Sequence, residues 1–531
     1  MQMASVIGRE FAFRVLASVM GMREELKSSL LNLQGLDFIS EKQLFPELEY
    51  IFKHALTQEI AYSSLLQKRR KEIHEKVAVS IESLYPDRLE EYYELLAYHY
   101  KRTDNKAKAF SYLDKANQKA AKLNAAQEAL NYFNDAMEVL DKLDDTYSNQ
   151  KKRIRMVCNQ FWVFLLLLRV KDFYELLIRF QSLLDKFEDP ELLAKFHSSM
   201  CGCEYWFGSF DKALERADKA IELSKESGHS EYAYNAYVIK SYSCLWTSDY
   251  QKLHALKEEI LNLMDEKFNL ETYVHSLVSY SLSFSDAGQF DKAADECLKA
   301  LKMAQKYSDD SLISISSTFV SIAYNLKGDM ERAQKYADLA MDKAPNPRDE
   351  VAARICYASY LSRSGNPKQG TQVLAPYIPI LISVKFQQGL INSLWFLSEG
   401  YLLSKEYDKA LKTVENLMEL AERHKMIHRL GIAHYIKGEI ALETEPDRTP
   451  THLEKSLAIL KPLKAEYLLA RVYCAYGRYH KQKGDNAKAR EYFTKALEIF
   501  ERLKILHEPE KVRNELAALT ENKKLERSFN L

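Results

Sequence analysis

Length, composition and charge narrow the class of protein before any motif is considered. The chain has 531 residues, too many for one compact core, and 47% of them are hydrophobic. Its 75 Lys and Arg balance 75 Asp and Glu, which argues against a general binder of nucleic acids or anionic membranes.

The cysteines and the apolar segments predict a cytoplasmic protein. The seven cysteines are scattered and odd in number, as is typical of reduced thiols. Arg9 and Glu10 interrupt any early apolar run, so no signal peptide is expected. The most apolar stretch, residues 161–168, is far too short to span a bilayer and predicts a buried helix.

The start of the chain predicts a small domain with strands. Residues 11–34 favour two short helices broken at Gly21, and the runs 36–40 and 49–53 alternate like the strands of a β-hairpin. No other strand is predicted in the chain. Helix, helix and hairpin are the parts of a winged-helix domain, which we expect at residues 1–75.

The most specific stretch is Phe52-Lys-His-Ala-Leu-Thr-Gln-Glu-Ile-Ala-Tyr62, followed by Leu65, Leu66, Arg70 and His74. Together with residues 4–11, it resembles the segment just after the nucleotide-binding module of STAND-class signalling ATPases. The most similar are those that follow an adenylate/guanylate cyclase domain. The resemblance runs from about Ala4 to Leu140.

The resemblance implies a role for His54. In that family the winged helix packs on the ATPase module and can contact bound nucleotide. In related members a Met-His-Asp-Leu motif starts a helix, and its His reaches the ADP phosphate. Residues 52–56 look like its counterpart, which implies that His54 senses the nucleotide state; Ala55 stands where those proteins have Asp. The alternative is that His54 caps or packs at a strand–helix junction.

The resemblance also bears on the first residues. In the family, residues like 4–9 follow an ATPase module, so the segment is expected to be truncated at its start. Val6, Ile7 and Phe11 would then be poorly covered, and residues 1–70 less stable than the rest.

The basic run of residues 68–71 favours a solvated face or an interface with the ATPase core over a DNA contact.

One short phrase recurs through the rest of the chain. Phe210-Asp-Lys-Ala-Leu-Glu-Arg-Ala returns near residues 290, 407 and 485, with small residues at i, i+4 and i+7, as in Ala213, Ala217 and Ala220. Glycines before these helices recur at multiples of about 40 residues, which predicts stacked helix pairs. The fold class is therefore all-α, an α-solenoid at residues 76–505 with a capping helix and tail at 506–531.

The last repeat is similar to a known one. The small and aromatic spacing of its members matches tetratricopeptide repeats, with a longer period than the usual 34 residues. These members are Gly477, Gly484, Ala489, Phe493 and Ala496.

Motifs for catalysis were sought through the whole sequence. There is no Gly-x-x-x-x-Gly-Lys-Ser/Thr phosphate loop and no Gly-x-Ser-x-Gly elbow. His424 and His428 have a spacing that can bind zinc, but no further ligand completes a site, and exposed histidines are expected. We therefore expect no enzyme activity, no cofactor and no metal.

The abundant tyrosines suggest where a ligand binds. Tyr232, Tyr234, Tyr237 and Tyr242 lie on one predicted helix, where they either line a peptide groove or pack against neighbouring helices. The prediction is a non-catalytic sensor region of a STAND-type ATPase. Its partners are a protein or peptide and an ATPase or cyclase module in cis or trans. The alternative is a free-standing tetratricopeptide scaffold without a nucleotide link.

Overall fold

The structure, a computed structural model, describes residues 1–21, 24–43, 47–184, 186–266 and 268–529. The chain divides into two compact units, Met1–Val163 and Phe164–Leu531. The predicted boundary between residues 75 and 76 lies inside the first unit and stays a prediction.

The first unit begins with a small mixed segment. Its elements are α1 (Gln2–Ile7), β1 (Glu10–Ala12), α2 (Phe13–Met20), α3 (Glu24–Gly35), β2 (Ile39–Gln43) and β3 (Glu49–Phe52). The strands form one antiparallel sheet in the order β1–β3–β2, with Phe11 opposite Tyr50 and Ile39 opposite Phe52. The predicted hairpin is confirmed, but its first strand is β2 at Ile39–Gln43 and not the predicted run 36–40. The prediction that the chain has no other strand is wrong, because β1 pairs with β3.

The first apolar residues are well covered, contrary to expectation. Val6, Ile7 and Phe11 are all buried. The Phe11 ring stacks on Tyr50 with centroids 5.8 Å apart and lies 5.6 Å from Phe52. The sheet thus covers Phe11, while Val6 and Ile7 lie on α1, which packs against α2 and the helices at Ala55–Ser63 and Gln67–Leu84.

Helices fill the rest of the first unit. They are α4 (Ala55–Ser63), α5 (Gln67–Leu84), α6 (Tyr93–Lys101), α7 (Lys106–Lys122), α8 (Ala126–Asp141) and α9 (Tyr147–Cys158). The predicted helix 161–168 is the shorter α10 (Phe161–Leu166), at the boundary of the two units, and its side chains are mostly buried.

The second unit is a tetratricopeptide-like α-solenoid of antiparallel helix pairs. Its helices are α11 (Val170–Leu184), α12 (Pro190–Trp206), α13 (Phe210–Glu226), α14 (Tyr234–Trp246), α15 (Tyr250–Glu266), α16 (Leu270–Asp286), α17 (Phe290–Lys306), α18 (Asp310–Lys327), α19 (Met330–Asp342), α20 (Pro347–Arg363), α21 (Pro367–Leu374), α22 (Ile378–Ser383), α23 (Gln387–Leu403), α24 (Tyr407–Arg423), α25 (Ile427–Thr444), α26 (Thr449–Leu460), α27 (Glu466–Gln482), α28 (Asn486–Arg502) and α29 (Glu508–Phe529). We call α12, α14, α16, α18, α20, α23, α25 and α27 the first helices. Each is followed along the chain by the second helix of its pair. In the pair that begins with α20, the second helix is divided into α21 and α22.

The small residues of the second helices pack as predicted. Ala213, Ala217 and Ala220 are fully buried against neighbouring helices, and so are their counterparts in α17, α19 and α28. In the last pair the Phe493 ring lies against Gly477, where an added Cβ would be 2.6 Å from that ring. A ring on one helix thus fills the space left by a glycine on the other.

The turns within helix pairs confirm the period of about 40 residues. Gly208, Gly288 and Gly328 take the left-handed conformation there, as Gly365 and Gly484 do further along. Two repeats that lack a glycine carry a different residue in the same conformation, Ser248 with φ 62° and Lys405 with φ 60°, whereas the turn from α25 to α26 starts at Glu445 with negative φ. Glycine spacing alone missed these two turns because other residues can adopt positive φ at modest cost.

Two further findings concern the chain as a whole. All seven cysteines are free thiols, and six of them are buried. Over the described residues, no helix combines the length and apolar character needed to cross a membrane.

Candidate functional site

His54 stands at the N-terminus of α4. Its side chain is exposed and forms no capping hydrogen bond, while its backbone carbonyl accepts from the Thr57 amide at 3.1 Å. Capping by the ring is therefore absent, and the nucleotide-sensing role stays a prediction.

The four tyrosines predicted to line a groove do not lie on one common surface. Tyr237 is buried, and its hydroxyl donates to Glu259 of α15 at 2.6 Å. Tyr242 points to α16, with its hydroxyl 3.1 Å from His275 Nδ1. Tyr234, the first residue of α14, and Tyr232, in the 3-10 turn Ser230–Ala233 before it, are half-buried. The structure thus separates Tyr242, on the side of the neighbouring first helix, from Tyr237, against a second helix.

The histidines with zinc spacing do not share a helix. His424 follows the last residue of α24 and is half-buried, whereas His428 is buried in α25. The expectation that they are exposed is wrong. Within the described residues, no three His, Cys, Asp or Glu side chains are grouped so that they could hold a metal ion.

The first helices of the second unit face one another. Arg429 of α25 donates to Asp286 of α16 at 3.0 Å, although the two lie 143 residues apart. Arg363 of α20 donates to the Tyr467 hydroxyl of α27 at 3.1 Å. These side chains define what we call the inner face, the side of the first helices that meets other first helices.

At one part of the inner face a buried carboxylate accepts hydrogen bonds from several side chains. Asp349, in the first turn of α20, is fully buried. Its oxygens accept from Ser311 at 2.5 Å and Asn346 at 2.6 Å, and pair with Arg348 Nη2 at 2.6 Å. The Asn346 side-chain oxygen Oδ1 in turn caps α20 by accepting from the Asp349 backbone amide.

The charge of Arg348 reaches three other first helices. It acts on the pKa of Tyr205, Tyr242, His275 and Glu271. Burial raises the pKa of Tyr205 to about 12 and lowers that of His275 to about 3. Burial, with Asp309, raises the pKa of Glu271 to about 7 although Arg348 opposes this. We call Tyr205, Tyr242, Glu271, His275, Arg348 and Gln388 the Arg348 cluster.

Several polar atoms of this cluster lack a hydrogen bond of normal geometry to any residue that the structure describes. Gln388 of α23 is buried near the Tyr205 hydroxyl, yet among the described residues neither of its amide atoms has a hydrogen bond of normal geometry. The same is true of Arg348 Nε. Buried polar groups are normally satisfied, so unpaired donors and an acceptor on facing helices indicate a place for a hydrogen-bonding ligand.

Two further clusters on the inner face are built around ion pairs, Arg429 with Asp286 and Glu399 with two arginines. The Arg429 guanidinium also donates to Asn392 at 3.0 Å and lies 4.8 Å from the Trp395 ring. Glu399 accepts from Arg363 at 3.0 Å and Arg471 at 2.7 Å. Burial alone would raise the pKa of Glu399, but the two guanidiniums outweigh it and lower the pKa to about 2.

Sequence reasoning missed these inner-face residues. Several of them lie within or beside an apolar helical run, such as Leu-Trp-Phe-Leu-Ser-Glu around Glu399, whereas Arg348 follows a Pro-Asn-Pro break. The available signal was a charged or amide side chain at a position that helical periodicity assigns to the core. Periodicity does not show which of these residues meet across the unit.

A second buried polar group lies in the first unit. His74 of α5 and His99 of α6 are buried with their Nδ1 atoms 2.8 Å apart, and the Tyr62 hydroxyl is 3.0 Å from His74 Nε2. Burial lowers the pKa of His74 to about 4 and that of His99 to about 3. Both rings are therefore neutral at physiological pH.

The comparisons with known proteins concern the fold. The tetratricopeptide-repeat family model matches residues 470–502, which include Gly477, Gly484, Ala489, Phe493 and Ala496. No curated protein matches the chain.

Three solved structures are similar to different degrees. The Cut9–Hcn1 hetero-tetramer of the APC/C is 13% identical, with 88% of this chain and 91% of that chain covered and a TM-score of 0.52. A Rap protein complexed with Competence and Sporulation Factor is 14% identical, with 74% of this chain and 98% of that chain covered and a TM-score of 0.43. A STAND protein with a tetratricopeptide repeat sensor from Pyrococcus horikoshii is 12% identical, with 89% of this chain and 64% of that chain covered and a TM-score of 0.36. The chain thus carries a tetratricopeptide repeat at residues 470–502 and shares a helical-repeat fold with Cut9–Hcn1.

Proposed function

We propose that the chain is the non-catalytic sensor region of a STAND-type signalling ATPase. The inner face of its second unit binds an extended segment of a protein or a peptide. Its first unit passes that event to a nucleotide-binding module, in cis or in trans.

The Arg348 cluster carries the first part of this proposal. An extended peptide presents an N–H or a C=O group about every 3.3 Å, which suits the unpaired amide of Gln388 and the unpaired Nε of Arg348. The rings of Tyr205 and Tyr242 lie 6.0 Å apart and offer apolar contact beside these polar atoms. Rigid aromatic rings beside a few fixed polar groups are typical of peptide-binding surfaces.

Peptide selection tests this part. Peptides selected from a random display library on the purified full chain should lose affinity at least tenfold with Gln388→Ala. They should bind normally to Gln305→Ala, a matched change at an exposed glutamine on α17. Equal affinity for both variants, measured by fluorescence anisotropy, would place the binding site away from the Arg348 cluster.

The first unit supports the second part through the order of its elements. A helix, a strand, two helices and two strands, with β1 beside β3, is the order expected of a winged helix. Directly after His54, the side chains of Leu56 and Ile60 share one face of α4 and are 65% and 60% exposed. Apolar side chains exposed together indicate a surface that another protein covers.

Binding to a separate nucleotide-binding module tests this part. A STAND nucleotide-binding module loaded with ADP should bind the chain, and Leu56→Glu with Ile60→Glu should abolish that binding without lowering the melting temperature. Val79→Glu, on an exposed position of α5, is the control. Absence of binding by the unmodified chain would favour a free-standing scaffold.

The purified chain should hydrolyse no ATP, since its sequence lacks the phosphate loop that holds a triphosphate. Hydrolysis that co-purifies with the chain and changes with a substitution in it would contradict the non-catalytic role.

A further inference from the structure

Turns of the second unit touch turns about five repeats further along the chain. Trp206 Nε1 donates to the Val384 carbonyl at 2.8 Å, 178 residues away, and His424 Nδ1 lies 3.1 Å from the Gly208 carbonyl, 216 residues away. The Leu506 amide donates to the Lys327 carbonyl at 3.0 Å. A solenoid needs contacts only between neighbouring repeats, so these are additional.

Three glycines leave room for these contacts. A Cβ added at Gly208 would overlap the His424 ring, and one at Gly288 would lie 3.0 Å from Tyr467 Cβ. At Gly328 it would lie 3.0 Å from His507 Cδ2.

Backbone conformation alone does not explain these glycines. Gly365 and Gly484 also have positive φ at turns within pairs, yet an added Cβ there would meet no atom of the described residues within 4 Å. The same turn in another pair holds Lys405, whose side chain is exposed. Glycine at 208, 288 and 328 therefore serves the close approach of another repeat.

One residue connects these contacts to the inner face. Tyr467 packs edge-on against Phe290, with centroids 5.1 Å apart, and its backbone and Cβ lie against Gly288. Its hydroxyl accepts from Arg363 on the inner face at 3.1 Å. Moving Tyr467 away from Gly288 therefore disturbs the inner face as well.

We propose that these distant contacts form a closure seam that opens as a unit, and that its opening controls access to the inner face; the second clause rests on the proposed function. We define the seam by the turns at Gly208, Gly288 and Gly328 and by their partners around Phe386, His424, Tyr467 and His507. Part of it is weak: the Lys425–Asp211 pair at 2.6 Å has two exposed side chains. Packing between neighbouring repeats holds the helix pairs whether the seam is open or closed.

A matched pair of asparagine substitutions tests the seam. Asn tolerates positive φ, so Gly288→Asn and Gly484→Asn strain the backbone alike, but only the first collides with a distant repeat. In small-angle X-ray scattering, Gly288→Asn should increase the radius of gyration with unchanged helical circular dichroism, and Gly484→Asn should scatter like the unmodified chain. A folded Gly288→Asn variant with unmodified scattering would contradict the proposal.

A second variant covers the case in which Gly288→Asn does not fold. Phe386→Ala removes the ring that stacks on Trp206 at 4.0 Å and adds no bulk. It should also expand the chain; a compact, folded Phe386→Ala variant, or failure of both seam variants to fold while Gly484→Asn folds, would show that the seam does not open.

Access to the inner face is read from Cys474, a half-buried thiol on α27 close to Arg471 and Arg478. A neutral maleimide should modify it several-fold faster in the expanded variant, as peptide mass spectrometry can measure. An unchanged rate in an expanded chain would contradict control of access. Neither measurement uses a bound peptide, so failure of the seam and failure of peptide binding are separate results.

Discussion

His74 and His99 show how one buried contact sets an ionisation state. Their Nδ1 atoms face each other at 2.8 Å, so one must donate a proton and the other accept it. A second proton would place two donors face to face. Burial, and after it the charge of Arg102, disfavours that proton on His74, and Arg70 acts in the same direction.

The first unit should therefore lose stability in acid. The unfolded chain binds protons at these histidines below about pH 6.5, whereas the folded chain excludes them until about pH 4 for His74 and about pH 3 for His99. Stability is complete above pH 6.5 and falls as the pH is lowered toward 4. Hydrogen exchange of α5 at pH 7 and pH 5, corrected for intrinsic rates, measures this. His74→Gln should reduce the difference, and an unchanged difference would contradict the assignment.

Ala217 is the residue whose size the helix packing restricts most directly. It is fully buried between Ala213 and Ala220 on the same face of α13. Ala217→Leu should lower the free energy of unfolding by roughly 1–3 kcal/mol through overpacking. Glu222→Leu, at an exposed position of the same helix, is the control. Urea unfolding that shows the same stability for both variants would contradict this packing.

Among the elements, α20 depends on an unusual first turn. Asn346 caps it, Pro347 opens it, and Asp349 brings together donors from Ser311, Asn346 and Arg348. Such a carboxylate leaves several buried groups without a partner if it is removed.

Asp349→Ala should therefore destabilise the second unit by about 3–5 kcal/mol, the range for breaking a buried ion pair. Asp310→Ala is the control, because Asp310 is exposed and pairs with Lys343 at 3.3 Å. That change should cost about 1 kcal/mol or less. Thermal unfolding compares the two variants. A similar loss of unfolding free energy in both would show that the buried contacts of Asp349 contribute no more to stability than an exposed ion pair.

Helices were easier to predict than strands. The spacing of Ala213, Ala217 and Ala220 is local and predicts a helix and its buried face together. The strand β1, by contrast, has three residues and exists because Phe11 lies opposite Tyr50, far along the chain. A strand stabilised by a distant partner leaves little trace in its own sequence.

For the molecule as a whole, the period was predictable and the inner face was not. A repeat of about 40 residues fixes the local stacking of helix pairs. Which repeats meet across the second unit depends on a small rotation per repeat that accumulates along the solenoid. The meeting of Arg429 with Asp286, and the approach to Gly208, follow from that rotation. The candidate site therefore came from the structure, whereas the sequence pointed to the tyrosines of α14.

Binding at the inner face is the central claim, and hydrogen exchange with and without a selected peptide tests it most directly. The bound peptide should slow exchange in α12, α14, α20 and α23, which carry Tyr205, Tyr242, Arg348 and Gln388. Exchange in the second helices α19 and α24 should change little. Protection confined to the second helices or to the first unit would contradict the account.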